Sequence, residues 1–163
     1  MAYFEWADDM AIDGGIIDKD HRALVDLVNE LHSATTRGAG QTVVATILRR
    51  TIESTREHLT HEEEIMAREG FPDLENHKIG HQEFMKSLYA LEQRLQAGGI
   101  TVAAQLSTVL RDWLSIHIRR NDKELRRFVQ RREREQERSR LQARIQGRTQ
   151  AAGQIGTQVG KKA

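Results

Sequence analysis

Proline occurs once in this chain of 163 residues, at position 72. A sequence with one strong helix breaker, rich in Ala, Leu, Glu, Arg and Gln, is committed to helix along most of its length. Glycines supply the remaining punctuation and divide the chain into four long segments. The first begins at Asp18, read as its cap, and ends at Arg37-Gly38-Ala39-Gly40. The second runs from about Thr42 to Glu69, where Gly70-Phe71-Pro72 stops it. Asp73 caps the third, which ends at Gly98-Gly99, and Thr101 caps the fourth, which reaches at least Asp122 and passes Phe128. Apolar residues recur at helical spacing: Leu24, Leu27, Val28 and Leu31 form one stripe, and Phe84, Leu88, Leu91 and Leu95 another. Short connections make consecutive helices antiparallel. The expected fold class is all-α, an up-down-up-down four-helix bundle over residues 18–128. Residues 1–17, with Tyr3, Phe4 and Trp6, are expected to form an ordered arm laid on it.

Charge separates the chain into two parts. From Arg126 to Ala163 there are eleven Lys/Arg and three Asp/Glu, a net charge of +8. The rest holds fourteen basic and twenty-one acidic residues, a net of −7. An acidic body therefore carries a basic extension, residues 129–163. It is read as helical through RREREQERSR and disordered from Gly147. Such an extension suits an anionic surface or an acidic protein partner through residues 126–163. With no aromatic residue after Phe128, no specific nucleic-acid readout is expected. No apolar run approaches the ~20 residues that span a bilayer. The N-terminus MAYFEWADDM lacks a basic region followed by an apolar block, so a cytoplasmic location is expected. The absence of cysteine excludes disulfides, thiolate metal sites and cysteine nucleophiles.

The stretch HLTHEEEIMAREGFPDLENHKIGH, from His58 to His81, holds four of the seven histidines. His58 and Glu62 are four apart, as are His77 and His81, and residues four apart share a helix face. His21 lies in the first turn of the first helix, and His117 and Asp122 in the fourth. Because the helices alternate in direction, all seven residues fall at or near one end of the bundle. Imidazole with carboxylate suits iron, zinc or manganese. Two octahedral irons sharing Glu62, Asp122 and one oxo or hydroxo bridge would leave six positions for five histidines, and hence one open position. His117 and Asp122 are five apart, about 140° on a regular α-helix. The reading therefore requires a wider, π-type turn between them.

Four motifs carry a resemblance to a known family: IDKDH ending at His21, HLTHEEEIM at His58 and Glu62, HKIGH at His77 and His81, and WLSIHIRRND at His117 and Asp122. Together they resemble the hemerythrins, single-domain bacterial members in particular, from Trp6 to about Phe128. The resemblance implies that His77, His81 and His117 hold one iron and His21 and His58 the other. It also implies that dioxygen binds the second iron, in a pocket lined by Leu24, Leu59, Trp113, Leu114 and Ile118. Two positions depart from the family pattern: Asp20 stands where a glutamine is usual, and Leu59 where Phe is frequent.

The remaining polar residues near the motifs have plainer readings. His32 faces the same side as His21 but three turns away, and is read as a core or bundle-end residue. His61 is rotated off the ligand face and read as surface. Glu63 and Glu64 are read as a solvated face. Gly80, inside the third helix, either allows close helix approach or is incidental. Ferritin-like diiron oxidases use Glu-x-x-His pairs and four or more carboxylates, and no Glu-x-x-His occurs here. Five neutral imidazoles with two carboxylates favour reversible dioxygen uptake for storage, delivery or buffering over oxidation of a substrate. The alternatives are an oxygen or redox sensor signalling through the basic tail, or an enzyme acting as an oxidase or consuming peroxide or nitric oxide.

Overall fold

A computed structural model describes residues 2–98 and 100–159. Its helices are α1 (Ile16–Thr36), α2 (Gln41–Glu69), α3 (Leu74–Gln96), α4 (Ile100–Ile116) and α5 (Lys123–Val159). A π-helical segment, His117–Asp122, joins α4 to α5. No strand occurs among the described residues. Helices α1 and α2, α2 and α3, α3 and α4, and α1 and α4 pack side by side, closing the four-helix bundle. By contacts the chain forms two compact units, Met1–Arg126 and Arg127–Ala163.

The expected stripes make the core. Leu24, Leu27, Val28 and Leu31 of α1 are buried, as are Phe84, Leu88 and Leu95 of α3, while Leu91 of the second stripe is half-buried. Each such side chain is worth roughly 1.5–3 kcal/mol of burial. Gly70 ends α2 in the left-handed region, φ 68°. There the amide of Phe71 donates to the carbonyl of Met66, closing a Schellman turn that reverses the chain into α3.

The N-terminal arm is held by both packing and hydrogen bonds. Phe4, Met10 and Ile12 are buried. The amide of Phe4 donates to Asn29 Oδ1, and Asn29 Nδ2 donates back to the Phe4 carbonyl, both at 2.8 Å. Asp18 is not the cap of α1, which starts two residues earlier. Its carboxylate instead accepts the amides of Ile12 and Gly14 at 2.7 and 2.8 Å, pinning the arm. The side chain beside the helix start is Asp13, which accepts from the amides of Gly15, Ile17 and Asp18.

The extension differs from its sequence reading. Rather than giving way to disorder at Gly147, α5 continues as helix to Val159. Residues 160–163 lie outside the described residues. An isolated glycine costs about 1 kcal/mol in a helix, and the Arg, Gln and Ala around Gly147 are good helix formers. Once a helix is nucleated, its propagation tolerates that cost. Thr101 lies within α4 rather than capping it.

Candidate metal centre

Each helix of the bundle delivers part of one buried cluster. α1 brings His21, α2 brings His58 and Glu62 one turn apart, and α3 brings His77 and His81 one turn apart. The π-helical segment supplies His117 at its start and Asp122 at its end. The hydrogen bonds of such a segment span five residues, so two side chains five apart come into line where a regular helix would splay them. All seven side chains are buried, Glu62 and Asp122 completely.

Their donor atoms converge. His117 Nε2 lies 3.2 Å from Glu62 Oε2 and 3.0 Å from Asp122 Oδ1. His77 Nε2 is 3.2 Å from Glu62 Oε1. His21 Nε2 is 3.1 Å from both Asp122 Oδ2 and His58 Nε2. Two overlapping tetrads result: Glu62, His77, His81 and His117, with ligand atoms within 4.8 Å of one another, and His58, Glu62, His117 and Asp122 at the same limit. Proximity does not satisfy these atoms. Glu62 Oε1, His77 Nε2, His81 Nε2 and both Asp122 oxygens have no hydrogen-bond partner among the described residues. Buried polar atoms left unpaired cost on the order of 1–3 kcal/mol each. A fold that collects several of them at one point fits a cation that all of them can hold.

The electrostatics agree with that fit. Burial pushes His21 down to about 3. Burial also holds His58 and His117 below the ordinary histidine range. These rings are neutral imidazoles with lone pairs, the form that ligates metal. Burial alone would raise Glu62, but His117, His77 and His81 outweigh it and hold its carboxyl well below the usual range. Asp122 goes the other way, raised well above its usual range by burial and by the charge of Glu62. Two carboxylates this close do not both ionise without positive charge between them.

Outer contacts orient the rings, and here sequence reading needs correction. Glu63 is half-buried rather than simply a solvated residue: its Oε1 lies 2.8 Å from His81 Nδ1. That contact fixes the ring's tautomer and leaves Nε2 for the cluster. His81 is held above the ordinary histidine range because Glu62 and Glu63 together overcome its burial. His61 is only partly on the surface, its Nδ1 paired with Asp20 Oδ2 at 2.8 Å. The same Asp20 oxygen is 3.9 Å from His58 Nδ1. His32 lies away from the cluster, stacked on Tyr3 with centroids 3.7 Å apart. A side chain added at Gly80 would meet nothing within 4 Å, so this glycine makes no close helix contact.

Trp113 stacks between Phe84 and His117, at 3.5 and 4.4 Å between ring centroids. Beside it lies an internal cavity of about 10 Å3, at the threshold for one water-sized molecule. Of the five expected pocket residues, Leu24, Trp113 and Leu114 line it, together with Val28, Thr51, Thr55, Phe84 and Leu110. Thr51 and Thr55 donate their hydroxyls to the carbonyls of Ile47 and Thr51, so the cavity stays apolar. Leu59 and Ile118 are buried but lie outside its lining. Leu59 instead borders a surface groove of about 310 Å3 between α2 and α3, together with His81 and Glu63.

Residues 15–129 match the hemerythrin HHE cation binding domain family. The chain is 34% identical to a bacteriohemerythrin of Stenotrophomonas maltophilia, over 76% of this chain and 79% of that one. It is 31% identical to a bacteriohemerythrin of Pseudomonas aeruginosa, over 75% and 78%. The crystal structure of a wild-type hemerythrin superposes with a TM-score of 0.70 at 26% identity, covering 77% of this chain and 96% of that chain. The chain belongs to the hemerythrin family.

Proposed function

We propose that the protein binds dioxygen reversibly at a non-heme diiron centre, for storage, delivery or buffering, as a cytoplasmic binding protein rather than an enzyme. In this reading His77, His81 and His117 would hold one iron and His21 and His58 the other, with the carboxylates of Glu62 and Asp122 available to both. When bound, the two irons would supply a redox-active pair able to take up a diatomic ligand.

The chain's own residues shape what that position does. Imidazoles outnumber carboxylates five to two in the cluster, so little negative charge would be donated to the metal, and strongly oxidising states would gain little support. Glu63 holds His81, and Trp113 holds His117, in fixed orientations. Leu24, Trp113 and Leu114 help wall a cavity sized for one small molecule and too apolar to favour water. Limited access for water, protons and reductants favours release of the ligand unchanged. The observation that carries the reading is the convergence of five buried histidines and two buried carboxylates, with unpaired donor atoms, beside that cavity.

A second reading, as a diiron oxidase or a consumer of peroxide or nitric oxide, has one observation in its favour. The α2–α3 groove brings a surface opening to His81 and Glu63, where a reductant can approach. One experiment separates the two. The optical spectrum of the deoxygenated ferrous protein is recorded, then again in air, then after argon. A charge-transfer band that appears in air and vanishes under argon supports dioxygen binding. Irreversible bleaching, or steady turnover with a reductant, supports the enzyme or a sensor.

A further inference from the structure

Helix α5 carries a second feature that the metal centre does not use. Arg127, Arg131, Arg134 and Arg138 follow one another at spacings of four, three and four, and Leu141, Ile145 and Arg148 continue the series at three, four and three. On a helix, alternating steps of four and three keep to one band. It spans about 31 Å at ~1.5 Å per residue and drifts by roughly 60° over three heptads. All seven side chains are exposed, Leu141 at 56% and Ile145 at 57%. Glu133, Glu135 and Glu137 fall outside the seven positions, Glu135 and Glu137 along the band's two borders, so the band's own members are all cationic or apolar although the helix is mixed.

From this arrangement we propose that the band on α5 docks the protein on an anionic phospholipid surface. The five arginines match lipid phosphates, because a planar guanidinium binds phosphate oxygens two at a time. Leu141 and Ile145 decide between anionic partners. Nucleic-acid phosphates offer nothing to two exposed branched apolar side chains, whereas the headgroup boundary of a bilayer takes them into its acyl edge. No helix among the described residues is long and apolar enough to cross a membrane, so the attachment is to the surface. A cationic band with only two apolar members gives reversible, salt-sensitive binding.

Co-flotation of the full-length protein with vesicles tests this. Vesicles of phosphatidylcholine alone are compared with vesicles containing one quarter phosphatidylglycerol, at low and high salt, with far-UV circular dichroism confirming helix content. The protein should float with the anionic vesicles at low salt and not with the neutral ones. The triple change Arg131→Gln, Arg134→Gln, Arg138→Gln should weaken binding by roughly a hundredfold, about fivefold per arginine. The charge-matched triple Arg132→Gln, Arg140→Gln, Arg144→Gln, off the band, should weaken it less than about tenfold. Leu141→Ser with Ile145→Ser should also release the vesicles. The proposal is overturned by absence of binding to anionic vesicles, by equal losses in the two triples, or by tighter binding to duplex DNA than to vesicles at the same salt.

Discussion

Asp122 is the residue at which stability and metal binding are expected to oppose each other most clearly. Its carboxyl is completely buried, and burial together with the charge of Glu62 holds its proton on well above the usual range. The unfolded chain gives up that proton near pH ~3.9. At neutral pH, folding the metal-free protein must therefore return a proton to Asp122 and bury it. The cost is of the order of 1–3 kcal/mol, the range for an incompletely satisfied buried polar group. Asn has the same shape and takes up no proton. Asp122→Asn should thus make the metal-free protein more stable by about 1–3 kcal/mol, a rise of roughly 2–12 °C in Tm for a chain of this size. The sign follows from linkage. A raised folded pKa costs nothing below the unfolded pKa and costs progressively more above it, so the gain should shrink as pH falls toward ~4. Iron should reverse the order. Ligand at a hundredfold its Kd stabilises the wild type by ~2.7 kcal/mol, and the variant, lacking a bridging carboxylate, should lose most of that. Urea unfolding, with chelator and then with ferrous iron under argon, measures both effects. If Asn destabilises the metal-free protein, or if its gain persists below pH ~4, the reasoning about the buried proton is wrong.

Further outcomes follow from the same contacts. His21, pushed down to about 3 by burial, and His58 and His117, also held low, bind protons in the unfolded chain that the folded chain refuses. Metal-free stability should therefore fall as pH drops below ~6.5, by roughly 1.4 kcal/mol per pH unit for each such histidine. His81, held high, works the other way, losing its contribution only as pH rises through its folded value. A flat urea midpoint between about pH 7 and pH 5 would contradict this. Glu63→Gln should weaken iron affinity roughly 10–100-fold through the His81 ring, read by competition with a chelator, and unchanged affinity refutes the positioning role. Gly70→Ala places a side chain at φ 68° with nothing within 4 Å of it. It should cost ~1–2 kcal/mol from backbone conformation alone, and a loss of a few tenths or less would show that the turn is not strained for alanine.

The sequence was most legible where chemistry and helix period reinforce each other. His58 with Glu62 and His77 with His81 repeat at one turn, so their shared faces needed only the helix assignment. The five-residue step from His117 to Asp122 was informative because it violates that period, and the structure resolves the conflict with a π-helical segment. What escaped depends on neighbouring helices. Glu63 is one of three consecutive glutamates, and only the approach of α3 places it on His81. Asp20 and His61 are separated by 41 positions and meet across α1 and α2. Thr51 and Thr55 are polar by residue type, but their hydroxyls are spent on backbone carbonyls of their own helix, and both line the cavity. Asp18 has the residue type of a cap, but the turn through Gly14, at φ 63°, brings loop amides onto it instead. In α5 the glycines after position 146 suggested a break, and continuous helix prevailed.

The central claim, that seven side chains hold two irons at one end of the bundle, is tested most directly by diffraction from iron-loaded crystals on either side of the iron absorption edge. The account predicts two anomalous peaks per chain. One should be bound by His77, His81 and His117 and the other by His21 and His58, with Glu62 and Asp122 reaching both. A single peak, or iron bound by His32 or His61 with the seven left empty, would contradict it.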